Sequence, residues 1–146
     1  MHLDADSILP QSGLSFGVGG IEFFSRASVL AEQSGYDGPG WQKSWLVIAH
    51  ETACGDPIFL DQSKIDHPVF TAMHGAGSWE PSLVASSWAQ FLAALEFARP
   101  YTKDRENPVG LEQRPFNQSE HKELLSGLSK ILGSPLPIFW DVLFTP

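Results

Sequence analysis

Cysteine, cationic side chains and long apolar runs are what this chain has least of. One cysteine, Cys54, stands in 146 residues. A single thiol excludes an internal disulfide framework and suits a reducing compartment, so a cytoplasmic protein is expected. Cys54 lies between Ala53 and Gly55 and reads as a small turn or core residue rather than a nucleophile. No apolar run approaches the roughly 20 residues that cross a bilayer, so no membrane partner is expected. The opening MHLDADSILP is acidic and lacks the basic-then-apolar pattern of a secretory leader.

Lysine and arginine number nine against seventeen aspartates and glutamates, a net charge of −8. The imbalance lies in residues 1–96, with eleven acids and three basic residues; residues 97–146 hold six of each. Such a surface repels the phosphates of nucleic acid. It favours a basic partner and speeds encounter with one, although ordinary solubility charge is an equally sufficient reading.

What remains is a foldable chain. Apolar residues make up 42% and aromatic residues 12%, with only 18% charged, which excludes a disordered segment. The length suits one domain, residues 1–146, with a sizeable core.

Leu9-Pro10 and the glycines of Gly17 to Gly20 mark an irregular start, followed by a short strand over Ile21 to Phe24. Ser25 is placed to cap a helix reaching about Ser34, with Val29, Leu30 and Gln33 on nearby faces and Gly35 as its stop. Trp45 to His50, Pro57 to Asp61 and Pro68 to Met73 read as three strands with short links, hence an antiparallel meander. Pro57 lacks an amide donor and belongs at the first position of its strand.

After Gly75, Gly77 and Pro81, the Trp79-Glu80-Pro81 passage is expected to lead into a helix start. Ser87 and Gln90 spell a capping box, with Trp88, Phe91, Leu92 and Leu95 forming one stripe and an end near Arg99-Pro100. Residues 100–116 read as a long surface connection. Asn117 and Glu120 open a second capped helix, with Leu124, Leu128, Ile131 and Leu132 inward and Gly133 as its stop. The apolar tail LPIFWDVLF is expected to close the core as a short helix or strand.

Few residues suggest chemistry. Asp56 and Asp61 bracket one strand and stand roughly 16 Å apart, too far to act on one bond; both read as turn residues. His50, Glu51, Cys54, Asp56, His67 and His74 have metal-like composition. Their spacing fits no recognised ligand pattern, so neither metal nor cofactor is expected. No serine sits in a nucleophile elbow, and the Gly17 to Gly20 stretch precedes a strand rather than a helix, the wrong context for a phosphate. Trp45, Trp88 and Trp140 are assigned to the core. Trp41 and Trp79 sit in Gly/Pro-rich loops, where a tryptophan serves as a recognition anchor or, the preferred reading, as a lid over a small sheet.

The ordered blocks GGIEFFS, Trp45-Leu46-Val47-Ile48, Gly55-Asp56-Pro57-Ile58-Phe59-Leu60-Asp61, the run ending at His74, Trp79-Glu80-Pro81 and the segment through Trp88 resemble the core of the SMI1/KNR4 family of the SUKH superfamily. The likeness covers Gly19 to about Leu95, with a late Phe139-Trp140 also similar. Against the family pattern the opening helix is shortened or lost here, which would leave a sheet face for the C-terminal tail or a second subunit to cover.

The resemblance implies an α+β fold, with a central twisted antiparallel sheet and flanking helices, and a binding role without catalytic residues. Many bacterial members neutralise toxins, and fungal relatives act as regulatory interaction proteins. The expectation is therefore a non-enzymatic immunity protein, monomer or homodimer, whose acidic surface occludes a basic toxin domain. Candidate contact residues are Asp37, Trp41, Glu51, Asp61, Asp66 and Glu80. A regulatory scaffold and a small metal-assisted hydrolase are the alternatives.

Overall fold

Alternation along the central strands decides which side chains face which layer. The computed structural model describes Leu9 and residues 12–145; Pro10 and the acidic first eight residues lie outside the described residues. Six strands pair in chain order to give one curled antiparallel sheet: β1 (Leu14–Phe16), β2 (Gly19–Phe23), β3 (Trp45–Glu51), β4 (Pro57–Asp61), β5 (Val69–Thr71) and β6 (Ser82–Ala85). With several helices flanking it, the fold is α+β, and the expected meander forms the middle of the sheet.

Leu46 and Ile48 of β3, with Ile58 and Leu60 of β4, point into the main core. Val47 and Phe59, one residue out of phase, point to the opposite face. The register shifts between Val47 and Ala49, and this bulge lets Ala49 join Ile48 on the main-core side.

Helices cover the main-core face: α1 (Val29–Glu32), α2 (Trp88–Ala98), α3 (Gly110–Gln113), α4 (Gln118–Leu132) and α5 (Ile138–Phe144). Ser87 Oγ accepts the Gln90 amide at 3.1 Å and starts α2. The reciprocal half of that capping box is absent, because Gln90 Oε1 is buried without a hydrogen-bond partner. At α4 both halves form between Asn117 and Glu120, and the helix stops at Gly133. Phe91, Leu95, Leu124, Leu128 and Trp140 are almost wholly buried between these helices and the sheet. The apolar tail is helical, and Trp140 Nε1 donates to the Val84 carbonyl at 2.9 Å, fastening α5 to β6.

Several expectations need correction. Ser82–Ala85 forms a strand, so Trp79-Glu80-Pro81 leads into β6 before the helix. Leu14–Phe16 forms a further edge strand. The helix expected from Ser25 to Ser34 shrinks to four residues followed by a 3-10 turn at Gln33–Gly35, because a tight turn at Arg26–Ser28 occupies its first part. Residues 100–116 are more than a surface link. Their Arg105 guanidinium donates to the Tyr101, Arg114 and Pro115 carbonyls and lies 4.5 Å from the Phe116 ring centre. That internal anchor positions α3, which buries Leu111. No helix among the described residues is long and apolar enough to cross a membrane.

Candidate functional site

The sheet face away from the main core is covered by rings. Trp41 lies 5.0 Å from both Trp45 and Phe59, and 5.3 Å from Trp79, measured between ring centres. Tyr36 stacks on Trp41 at 5.6 Å. The loop carrying Trp79 is tied down at two points: its indole N–H donates to the Asp37 carbonyl at 2.7 Å and its amide to the Pro39 carbonyl at 2.8 Å. Trp41 and Trp79 are thus half-buried parts of a cover, and Asp37 is exposed beside them. Trp45, half-buried, belongs to this layer, whereas Trp88, also half-buried, packs on Phe91 of the main core.

The β3–β4 turn gathers Glu51, Cys54, Asp56 and His74. Gly55 adopts φ +80°, a conformation few side chains tolerate, and its amide donates to the Glu51 carbonyl at 2.8 Å. Glu51 accepts from the Ala53 and Cys54 amides, both at 2.9 Å, and from the Cys54 thiol at 2.8 Å. Partial burial, then the hydrogen bond to the Glu51 carboxylate, push the Cys54 thiol up to about 12, against the opposing pull of the Asp56 backbone. A thiol so held is protonated at neutral pH and is a poor nucleophile.

Asp56 Oδ1 accepts from the His74 amide at 3.0 Å and lies 2.6 Å from its ring Nδ1. Partial burial works against the Asp56 charge, but the His74 and Cys54 contacts outweigh it and hold the carboxyl below its ordinary range. Pro57 follows at the first position of β4, opposite His50. His50 itself approaches Glu22 at 3.9 Å. Among the described residues, no three His, Cys, Asp or Glu side chains converge as metal ligands would.

Asp61 and Asp66 belong to the other end of β4. Asp61 Oδ1 accepts from the Ser63 amide at 2.9 Å and hydroxyl at 2.6 Å, while Asp66 is exposed. The six candidate contacts therefore divide among three places: Asp37 and Trp41 on the ring cover, Asp61 and Asp66 at this end, and Glu51 and Glu80 together at the opposite one.

That last place is an open cleft of about 740 Å³, reached by the β1–β2 turn, the β3–β4 turn, the end of β5, α3 and α5. One wall exists because two glycines meet. A Cβ on Gly17 (φ +72°) would stand 2.7 Å from the Gly110 Cα, so the β1–β2 turn seats against α3 only with glycine at that point. Seven large apolar side chains are exposed among the described residues, and four of them line this cleft: Val18 (77%), Met73 (68%), Ile138 (65%) and Val142 (66%). Its ionisable lining is acidic, with Glu51, Asp56, Glu80 and Glu112 and no lysine or arginine. Apolar exposure concentrated this way marks an interaction site more often than scattered surface residues do.

The apolar half of this cleft is absent from the sequence-derived candidates. The available signal was the tail. A seven-residue helix that is apolar nearly all round buries one stripe, Trp140 and Phe144, and leaves Ile138 and Val142 outside. Comparison with protein-family models, with curated proteins and with solved structures finds no match for this chain.

Proposed function

We propose that this chain is a cytoplasmic, non-enzymatic protein-binding domain of the SMI1/KNR4 kind, an immunity protein that neutralises a cognate toxin by covering its surface. The observation that carries this reading is the cleft at the Glu51 and Glu80 end of the sheet. It offers exposed apolar side chains together with carboxylates, the composition of a contact patch for a basic protein surface. The chemistry of the neighbouring turn also supports binding over catalysis. Its thiol is held protonated, and its Glu51 and Asp56 carboxylates are engaged in holding β3, β4 and His74 together.

The experiment is calorimetric titration of this protein with the purified, inactivated toxin-like domain encoded beside its gene. Tight stoichiometric binding, with rescue of cells expressing the active domain, is the expected result. No binding overturns the immunity reading and moves the search to a regulatory partner.

A further inference from the structure

Within the cleft the four carboxylates are not equivalent. Glu51 is occupied by two turn amides and the Cys54 thiol, and Asp56 by His74. Glu80, just before β6, and Glu112, on α3, are exposed and make no hydrogen bond or ion pair among the described residues. Two free anions thus border a floor to which Met73 comes from the end of β5 and Val142 from α5.

Resting on the protein-binding reading above, we infer that the occupant of this cleft is a cationic amphipathic segment of the partner. Its apolar side chains seat on Met73 and Val142, and its lysines or arginines are selected by Glu80 and Glu112.

Charge decides between occupants. A second copy of this chain docking through the same cleft would set Glu51, Asp56, Glu80 and Glu112 against their own equivalents, and like charges across an interface are strongly disfavoured. Nucleic acid and anionic lipid surfaces are repelled for the same reason. A basic segment satisfies both halves of the lining: burial removes the exposed methyl groups from water, and the free carboxylates gain the only counter-charges the cleft itself lacks.

The test uses the full chain with labelled methyl groups, titrated with three synthetic peptides of about a dozen residues. One carries leucine and lysine in helical alternation, a second leucine and glutamate, a third serine and lysine. The leucine/lysine peptide is expected to shift the Val18, Met73, Ile138 and Val142 methyl resonances, and the other two to leave them in place.

Glu80→Lys with Glu112→Lys should weaken that peptide about tenfold, whereas Asp37→Lys with Asp66→Lys, which alters net charge equally, should weaken it less than about twofold. Met73→Ser with Val142→Ser, leaving every charge intact, should also weaken it about tenfold. Shifts located elsewhere, an equal response to the leucine/glutamate peptide, or equal losses for the two charge-reversed pairs would overturn the inference. So would a dimer in sedimentation whose cleft methyls are already covered.

The same variants separate this inference from the immunity reading. A toxin domain that binds the Glu80/Glu112 variant as tightly as the unaltered protein sinks the cleft assignment and leaves immunity standing. A peptide response as expected, with no toxin binding by the unaltered protein, does the reverse.

Discussion

The two faces of the sheet are covered by different materials, and the difference locates the free surface. The inner face is closed by α2, α4 and α5, whose aliphatic and aromatic side chains bury almost completely. The outer face is closed by loops, and its rings are mostly half-buried over a small centre of Val47, Phe59 and Ala72. A helical cover repeats every turn and tolerates no gap. A loop cover depends on a few ties, such as the Trp79 indole on the Asp37 carbonyl. Both covers pack their aromatics against the sheet. Four of the seven large apolar side chains left exposed among the described residues stand at the cleft.

The strongest way to break this contrast is to remove one ring from each side. Phe91→Ala on the helical face should cost about 3–5 kcal/mol, the range for deleting a buried phenylalanine. Trp79→Ala on the loop face should cost only about 2 kcal/mol, because part of the ring is already in water. Urea denaturation of both variants checks the ordering. Equal losses would mean that the loop cover is as integral to folding as the helices.

These layers were unequally legible in the sequence. The meander from Trp45 to Thr71 could be read because β-prone apolar runs are separated by short polar or glycine turns. The two main helices could be read because Ser87 and Asn117 supply caps ahead of stripes three and four residues apart. β1 and β6 were missed for a physical reason. Leu14–Phe16 lies between Gly13 and Gly17, and Ser82–Ala85 between Pro81 and the Ser87 cap, so three or four residues had too little pattern to register.

The cleft was half legible. Glu51 and Glu80 stand out as acids, but Val18, Met73, Ile138 and Val142 meet only through tertiary folding. Glu112 carried no signal, because α3 exists through the Arg105 anchor and the Gly17–Gly110 contact.

A second prediction sharpens the contrast at the seam between the two covers. Past the end of β2, the last backbone bond to β3 runs from the Phe24 amide to the Ile48 carbonyl at 3.0 Å, and beyond it the Gln33 side chain takes the place of a strand. Its Oε1 accepts the Val47 amide at 2.8 Å, and its Nε2 donates to the Val47 carbonyl at 2.7 Å and to the Val29 carbonyl at 2.7 Å. Gln33→Ala strands two peptide groups of a fully buried residue and should cost about 1–3 kcal/mol. Hydrogen exchange at the Val47 amide should accelerate in the variant more than exchange at Leu95. Uniform acceleration would show that Gln33 supports the whole fold rather than this seam.

The smallest effect expected is at the turn beside the cleft, and its pH dependence has a definite sign. The Asp56 carboxyl is held below its ordinary range, with partial burial opposing that shift and the His74 contacts overcoming it. A depressed folded value means that the stabilisation is fully present above the unfolded value, near pH 3.9 for aspartate, and is lost as pH falls through the folded one. Asp56→Asn should therefore cost about 1 kcal/mol at neutral pH, the usual worth of a hydrogen bond to a charged group after partial solvent screening. The gap from the unaltered protein should close progressively below about pH 4. Denaturation curves for both proteins across that window decide it. If the gap persists at low pH, then the neutral side-chain hydrogen bonds of Asp56, rather than its charge, hold the β3–β4 turn to His74.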